Sequence, residues 1–258
     1  MKPQAYVDMA RVQHRHWWFN ARREILRSRI SALGLPAGAR LLEIGSGTGG
    51  NLEMLCGFGR VVGVEMSQEA ISFACRLAVV RDGRAQLVRG RCPEALDDIE
   101  GTFDLICLFD VLEHIAADSE VLRELSKLLA PGGRIMVTVP AYEWLWSEHD
   151  VDLHHFRRYN RGSLNRAFGL AGLNVTRLSH FNTLLFPLAV AARLLCKALG
   201  RSQVGKDMPS APLNAVLRSV FAAERHILGP LDLPFGLSLL ALATGSRAET
   251  RRDCVSHP

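Results

Sequence analysis

The chain has 258 residues, 48% hydrophobic and 22% charged, a balance that excludes wholesale disorder and collagen-like order and gives one large α/β domain enough core to bury. Its formal net charge of +5 is carried largely by arginines spread along the chain, without a run of five like charges, and reads as a dispersed solvated surface. No apolar run reaches the roughly 18–20 residues that cross a bilayer; the start, MKPQAYVDMARVQHRHWWF, has no apolar signal segment, and six cysteines (56, 75, 92, 107, 196, 254) without a C-x-x-C pair read as buried free thiols, so a soluble cytoplasmic protein is expected.

The first 37 residues form an amphipathic helical lead-in, expected to act as a lid. Strands follow at ARLLEIG (39–45), RVVGVE (60–65), AQLVRG (85–90), FDLICLFD (103–110) and GRIMVTVP (133–140). Runs this apolar, without polar alternation, fit strands covered on both faces, as in a parallel sheet. Helical patterns lie between them at 48–56, at 67–79 with Ser67 as N-cap, and at 118–129, which PGG ends. The alternation points to a doubly wound sheet with right-handed crossovers. Beyond it, 161–172 reads as a helix, 173–181 as a strand, 183–199 and 212–228 as apolar helices, and LPFGLSLLALATG (233–245) as a last strand. The polar residues 246–258 read as a flexible tail. Residues 1–245 are therefore expected to form a single domain, with 183–232 as a helical cap insertion.

The segment Leu42-Glu43-Ile44-Gly45-Ser46-Gly47-Thr48-Gly49-Gly50 places three glycines at alternate positions between a strand and a helix. Glycine there permits positive φ and lets backbone approach a ligand, while the helix start offers free N–H groups. The spacing is G-x-G-x-G, unlike the nicotinamide fingerprint. Glu43, two residues before the first glycine, would repel a pyrophosphate but not a cationic ligand. Glu65, about 20 residues on at the end of the second strand, suits the two hydroxyls of an adenosine ribose.

LLEIGSGTGG, VVGVEMS, FDLICLFDVLEHI and LLAPGGRIMVTVP, in this order, resemble the successive motifs of class I S-adenosylmethionine-dependent methyltransferases over about residues 38–182. The resemblance implies a seven-stranded Rossmann-like sheet of order 3-2-1-4-5-7-6 with strand 7 antiparallel. It implies S-adenosylmethionine as cofactor and S-adenosylhomocysteine as product. Glu43 and the turn of Gly45, Gly47 and Gly49 would hold the methionyl portion, Glu65 the ribose and Met66 the adenine, and Asp110 would lie close to the methyl donor. The adenine amine contact would fall at Arg91 and Cys92, where the chain reads Gly90-Arg91-Cys92-Pro93 rather than the family's usual acidic or small polar residue. WWFNARREIL, VPAYEWLWSEHD and HHFRRY further resemble a bacterial subgroup of these enzymes.

Acceptor-facing candidates come from the loop after strand five, since ligands of open α/β sheets lie beyond the carboxyl ends of the strands. His155 is the candidate general base, because an imidazole titrates near neutral pH, with His149 and Asp150 as partners or alternatives. Tyr142, Arg158 and Tyr159 are candidates for substrate contact; Arg157 and Arg158 would either clamp an acidic acceptor or anchor the loop by ion pairs. A metal site from His149, Asp150, Asp152, His154 and His155 is conceivable by residue type, but the ligands crowd one loop without a spacing template, and no metal is expected. Trp18 and Arg22 share a helix face, and Arg22 could reach the cofactor carboxylate. His114 reads as structural.

The expected function is transfer of a methyl group from S-adenosylmethionine to a small-molecule or lipid-like acceptor, at oxygen. The alternatives are an RNA or protein methyltransferase, against which FDVLEH stands where amine-directed members carry N/D-P-P-Y/F, and a non-catalytic S-adenosylmethionine-binding protein. A small-molecule acceptor, acidic or lipid-like, is the expected partner; for 183–199 a cap over the pocket or a dimer contact is preferred to peripheral membrane contact, and nucleic acid is not expected.

Overall fold

The computed structural model describes residues 3–198 and 208–245. In chain order its elements are α1 (Pro3–Val12), α2 (Trp17–Ser31), β1 (Ala39–Ile44), α3 (Leu52–Leu55), β2 (Gly59–Glu65), α4 (Gln68–Ala74), α5 (Ala78–Arg81), β3 (Ala85–Arg89), β4 (Phe103–Phe109), α6 (Asp118–Lys127), β5 (Leu129–Pro140), α7 (Glu148–Asp152), α8 (Arg161–Leu170), β6 (Leu173–Phe181), α9 (Phe186–Ala198), α10 (Ala211–Ile227) and β7 (Ser238–Gly245). The seven strands form one sheet in the order β3-β2-β1-β4-β5-β7-β6. β1 to β5 pair in parallel, and β7 inserts antiparallel to both β5 and β6.

The apolar strand runs behave as two-sided sheets require. On β1, Leu42 and Ile44 face a core shared with α6 and α8, while Ala39 and Leu41 face one shared with α2, α3 and α10. Burying each such leucine contributes about 1.5–3 kcal/mol, so packing on both faces fixes the strand register.

Several expected elements are shorter than their sequence patterns. The helix expected at 48–56 is confined to α3, because Gly47 and Gly49 take positive φ of 55° and 84° and the turn runs on to Asn51. The helix expected at 67–79 splits into α4, capped by Ser67 at the Ala70 N–H, and α5, with Cys75 closing α4. The last strand starts at Ser238 rather than at 233; Leu233 makes only an isolated bridge to His180. The thiols also differ from expectation: Cys107 is buried, Cys56 and Cys92 are half-buried and Cys75 is exposed. Cys254 and the tail at 246–258 lie outside the described residues, as does the side chain of Cys196.

The two helices expected to cap the pocket part company. α10 joins the layer that covers the sheet beside α2. The Trp17 N–H donates to Asn214 Oδ1 (2.9 Å), Arg29 to the Leu228 carbonyl (2.8 Å), and Arg218 and Arg225 both pair with Glu24. Only α9 flanks the loop after β5, where Arg193 donates to the Leu145 carbonyl (3.1 Å). Among the described residues no helix is long and apolar enough to cross a membrane.

Candidate active site

The loop between β1 and α3 is a cradle with two carboxylates beneath it. Gly45, Gly47 and Gly49 all hold positive φ, and a Cβ on Gly45 would stand 2.5 Å from Val111 Cγ2. The turn after β4 is thus pressed directly against the cradle. Glu65 Oε2 accepts the Gly47 N–H (2.9 Å) and Oε1 accepts the Ser67 N–H (2.8 Å), so this carboxylate ties the glycine loop to the start of α4. Glu43 is 1% exposed; one oxygen accepts from Asn51 (2.8 Å) and the other has no partner. Burial raises its pKa to about 7, with Glu65 adding to the rise and Asn51 and Arg22 opposing it.

The lead-in closes over this cradle. α1 packs on α4, and Tyr6 is buried beside Glu65 and Ser67, its phenol pushed up to about 12 by burial and then by the Glu65 charge. Thr48 donates to Gln13 Oε1 (2.8 Å), and Arg23 bridges the carbonyls of Gln13 and Gly50. From α2, the buried Arg22 pairs with Asp110 (2.7 Å) at the end of β4 and reaches Thr138 on β5 (3.3 Å), with Trp18 and Phe109 against its guanidinium at 5.0 and 5.6 Å. Asp110 itself has φ of 56° and accepts from Thr138.

A second group lies just past Asp110. His155 Nδ1 is 2.9 Å from Asp150 Oδ1, and its ring meets the His114 ring edge-on with centroids 4.6 Å apart. Asp150 is fully buried and holds Arg158 through both Nε and Nη2 (2.8 and 2.9 Å) as well as the Ser147 N–H. Burial alone would raise its carboxyl, but hydrogen bonds from His155 and Arg158 outweigh burial and hold it well below the usual carboxylate range. Burial, then the His155 ring, lowers His114 to about 4, so it stands neutral. Glu113 is 1% exposed with Oε2 unpartnered, and burial followed by the Asp110 charge lifts its pKa well above the ordinary value. The Phe156 N–H donates to the Glu113 carbonyl (2.8 Å), which joins the two loops.

The residues proposed from sequence for the cofactor, Glu43, Gly45, Gly47, Gly49, Glu65, Asp110 and Arg22, are brought together. Met66 stands beside them, 57% exposed. Arg22 is engaged by Asp110, so a ligand carboxylate would have to share it. Arg91 is exposed; Cys92 is half-buried against the core, its thiol pushed up to about 12 by burial. On the acceptor side, two residues do not serve as expected. Tyr159 is 1% exposed in the core and donates to Asp118 (2.7 Å), because the bridge between Ala141 and Tyr159 turns it inward. Arg158 spends its guanidinium on Asp150 and the Ala141 carbonyl, while Arg157 pairs with Asp118. Both arginines are loop anchors. Tyr142, at φ 62°, stacks on His180 (5.3 Å) and touches Trp144 and Phe186. The His149 side chain lies outside the described residues. Sequence reasoning missed Tyr6, Gln13, Asn51, Glu113 and Thr138; of these only Asn51, beside the glycine turn, carried a local signal.

From Tyr142 an open apolar groove of about 470 Å³ runs along α9, lined by Phe186, Pro187, Val190, Ala191 and Phe235.

The profile of a family described as a methyltransferase domain matches residues 17–178. Ubiquinone biosynthesis O-methyltransferase of Xanthomonas axonopodis pv. citri is 27% identical over 149 residues, 52% of this chain and 60% of that protein. Phosphoethanolamine N-methyltransferase 1 of Triticum aestivum is 27% identical over 149 residues, 54% of this chain and 30% of that protein. The chain thus spans less than two thirds of the length of these curated relatives. Among solved structures, an S-adenosylmethionine-dependent methyltransferase of Clostridium acetobutylicum shares the fold with a TM-score of 0.53 at 13% identity, covering 86% of this chain and 90% of that one.

Proposed function

The chain belongs to the methyltransferase-domain family, and from that premise we propose that it moves a methyl group from S-adenosylmethionine to a hydroxyl oxygen of a small, partly apolar acceptor. The cofactor, when bound, supplies a methyl group on a sulfonium sulfur; the chain's part is to bind, align and exclude water. The residues present suit such a ligand. A buried Glu43 oxygen without a partner awaits a cationic group, Glu65 offers acceptors for vicinal hydroxyls, and an added Cβ at Gly47 would meet only the Gly45 carbonyl, at 3.9 Å, leaving that backbone open to close approach.

The observation that carries the acceptor reading is the imidazole of His155. Held at Nδ1 by the buried Asp150, it leaves Nε2 as the ring nitrogen that Asp150 does not engage, within contact of His114 and next to the turn that abuts the cradle. An electron pair at that place acts on a hydroxyl that must lose its proton. The groove beside Tyr142 supports an acceptor with an apolar portion.

Calorimetric titration with S-adenosylmethionine, S-adenosylhomocysteine and NADH tests the cofactor. Micromolar binding of the two sulfur ligands and none of NADH is expected; silence from both sulfur ligands would overturn the proposal. Mass-spectrometric screening of phenols and hydroxylated lipids then tests the acceptor class, where methylation of amines alone would reject oxygen.

Glu65→Ala should weaken cofactor binding by about 1–3 kcal/mol, a roughly 5- to 150-fold rise in Kd, since two hydroxyls lose their acceptor. Calorimetry on the folded variant checks it, and an unchanged Kd would remove Glu65 from the site.

Glu43 makes affinity depend on pH. In the free protein its carboxyl binds a proton more tightly than in the unfolded chain, so the ligand-free protein loses stability as pH rises from about 4.5 through about 7. A cationic ligand favours the ionised form, and binding below pH 7 therefore expels a proton. Affinity should fall up to about tenfold per pH unit below 7, and calorimetry at pH 6 in two buffers of different ionisation enthalpy should show proton release. Glu43→Gln should abolish that release; a wild-type slope in the variant would assign it elsewhere.

A further inference from the structure

Glu113, His114 and His155 each offer one ligand atom, and these atoms lie within 4.8 Å of one another, the one such grouping among the described residues. We propose that they form a binding site for a divalent transition-metal cation that holds the acceptor oxygen, an inference that rests on the methyl-transfer reading above. Two imidazoles and one carboxylate are the donor set that borderline divalent ions favour over Mg²⁺ or Ca²⁺. Around an ion about 2.0–2.2 Å from each ligand, neighbouring ligand atoms stand roughly 3–4 Å apart.

Three independent features support a site rather than a chance cluster. Glu113 is 1% exposed, yet its Oε2 has no partner, a costly state for a carboxylate that a cation would relieve. His155 is held at Nδ1 by Asp150, which fixes the ring and turns the Nε2 electron pair into a ligand; a carboxylate behind a ligating imidazole is the usual orienting partner of metal sites. Asp150 is in turn locked by Arg158 and Ser147, and the Phe156 N–H clasps the Glu113 carbonyl, so the two ligand-bearing loops are fixed to each other. The loop cluster His149, Asp150, Asp152, His154 and His155 weighed from sequence contributes only His155. Asp150 serves behind it, and the other two ligands come from the turn after β4.

With the cation in place, His155 is a ligand and does not take the proton. A hydroxyl bound at the remaining coordination position ionises nearer neutral pH and gives its proton to solvent. As the new O–C bond forms, the donor's C–S bond breaks with its electron pair left on sulfur, and the charge of the sulfonium is cancelled.

The test uses the untagged 258-residue chain, stripped with a chelator and titrated with Co²⁺, whose visible absorption reports its ligands. One equivalent is expected to bind saturably, with a d–d band from nitrogen and oxygen donors. Glu113→Gln and His155→Ala, checked for folding by circular dichroism, should each abolish the band, and Asp150→Asn should weaken binding about 10- to 100-fold by loosening the imidazole. Absence of a saturable equivalent, or a band unchanged in both ligand variants, would overturn the site. S-adenosylmethionine is titrated into the same stripped protein. If it binds while Co²⁺ does not, the cation proposal fails alone; if Co²⁺ binds and the cofactor does not, the methyl-transfer reading fails and takes the proposed role of the cation with it.

Discussion

His155→Ala should lower the rate of methyl transfer by about 10²- to 10⁴-fold, whether the imidazole takes the acceptor's proton itself or holds the cation that acidifies the hydroxyl. The effect belongs in kcat, because the imidazole touches neither Glu43 nor Glu65, the carboxylates assigned to the cofactor. The Kd for S-adenosylmethionine should stay within about threefold of wild type, since nothing that supports the glycine cradle is lost. Folding should survive as well. Asp150 loses one hydrogen bond but keeps Arg158 and the Ser147 N–H, so no buried carboxylate is left unpaired. Single-turnover measurements at saturating cofactor separate these quantities; a wild-type turnover rate would place His155 outside the chemistry.

The largest stability effect is expected at Glu224. Fully buried on α10, it accepts the N–H groups of Thr183 and Leu184 through Oε1 (2.7 and 2.8 Å) and of Asn182 through Oε2 (2.7 Å). Three consecutive amides at the exit of β6 thus depend on one side chain. Burial raises its pKa, while the three donors pull the other way. Glu224→Ala strands all three donors, at about 1–3 kcal/mol for each buried group left unsatisfied, partly relieved by water entering the cavity. A loss of about 3–5 kcal/mol in unfolding free energy is expected, a large share of a domain's typical 5–15 kcal/mol. Urea unfolding checks it, and a loss under 1 kcal/mol would show that water replaces the carboxylate. Glu224→Gln, which retains one carbonyl acceptor, should fall between.

The two halves of the site were not equally legible in the sequence. The cradle is local: the glycines, Glu43 and Glu65 belong to neighbouring strand ends, and glycine meets φ > 0 at alternate positions without steric cost. All seven strands were legible for a similar reason, because two-sided burial leaves unbroken apolar runs such as Leu105 to Phe109. The acceptor side is assembled from the turn after β4 and a loop forty-odd residues later, a distance over which periodicity says nothing. His155, Arg158 and Tyr159 stand almost side by side in the chain, yet the first meets His114, the second is consumed by Asp150 and the third points into the core. Glu113 carried no signal in the sequence, because its importance comes from burial, which an acidic residue in sequence does not announce. The short helices fell short of their patterns for the opposite reason: α3 starts only after the glycine turn has run on to Asn51, and α4 closes at Cys75 although the apolar pattern continues beyond it.

The position of β7 between β5 and β6 has a consequence for synthesis of the chain. When β5 leaves the ribosome, the four strands before it are already made and the β3-β2-β1-β4-β5 part of the sheet can pair, but the outer edge of β5 from Arg134 to Pro140 has no strand to take its hydrogen bonds. That partner, Ser238–Gly245, is roughly a hundred residues further on, about 5–20 s of translation at 5–20 residues per second. During that interval the nascent protein carries an unsatisfied apolar edge, the kind of surface on which other chains pair.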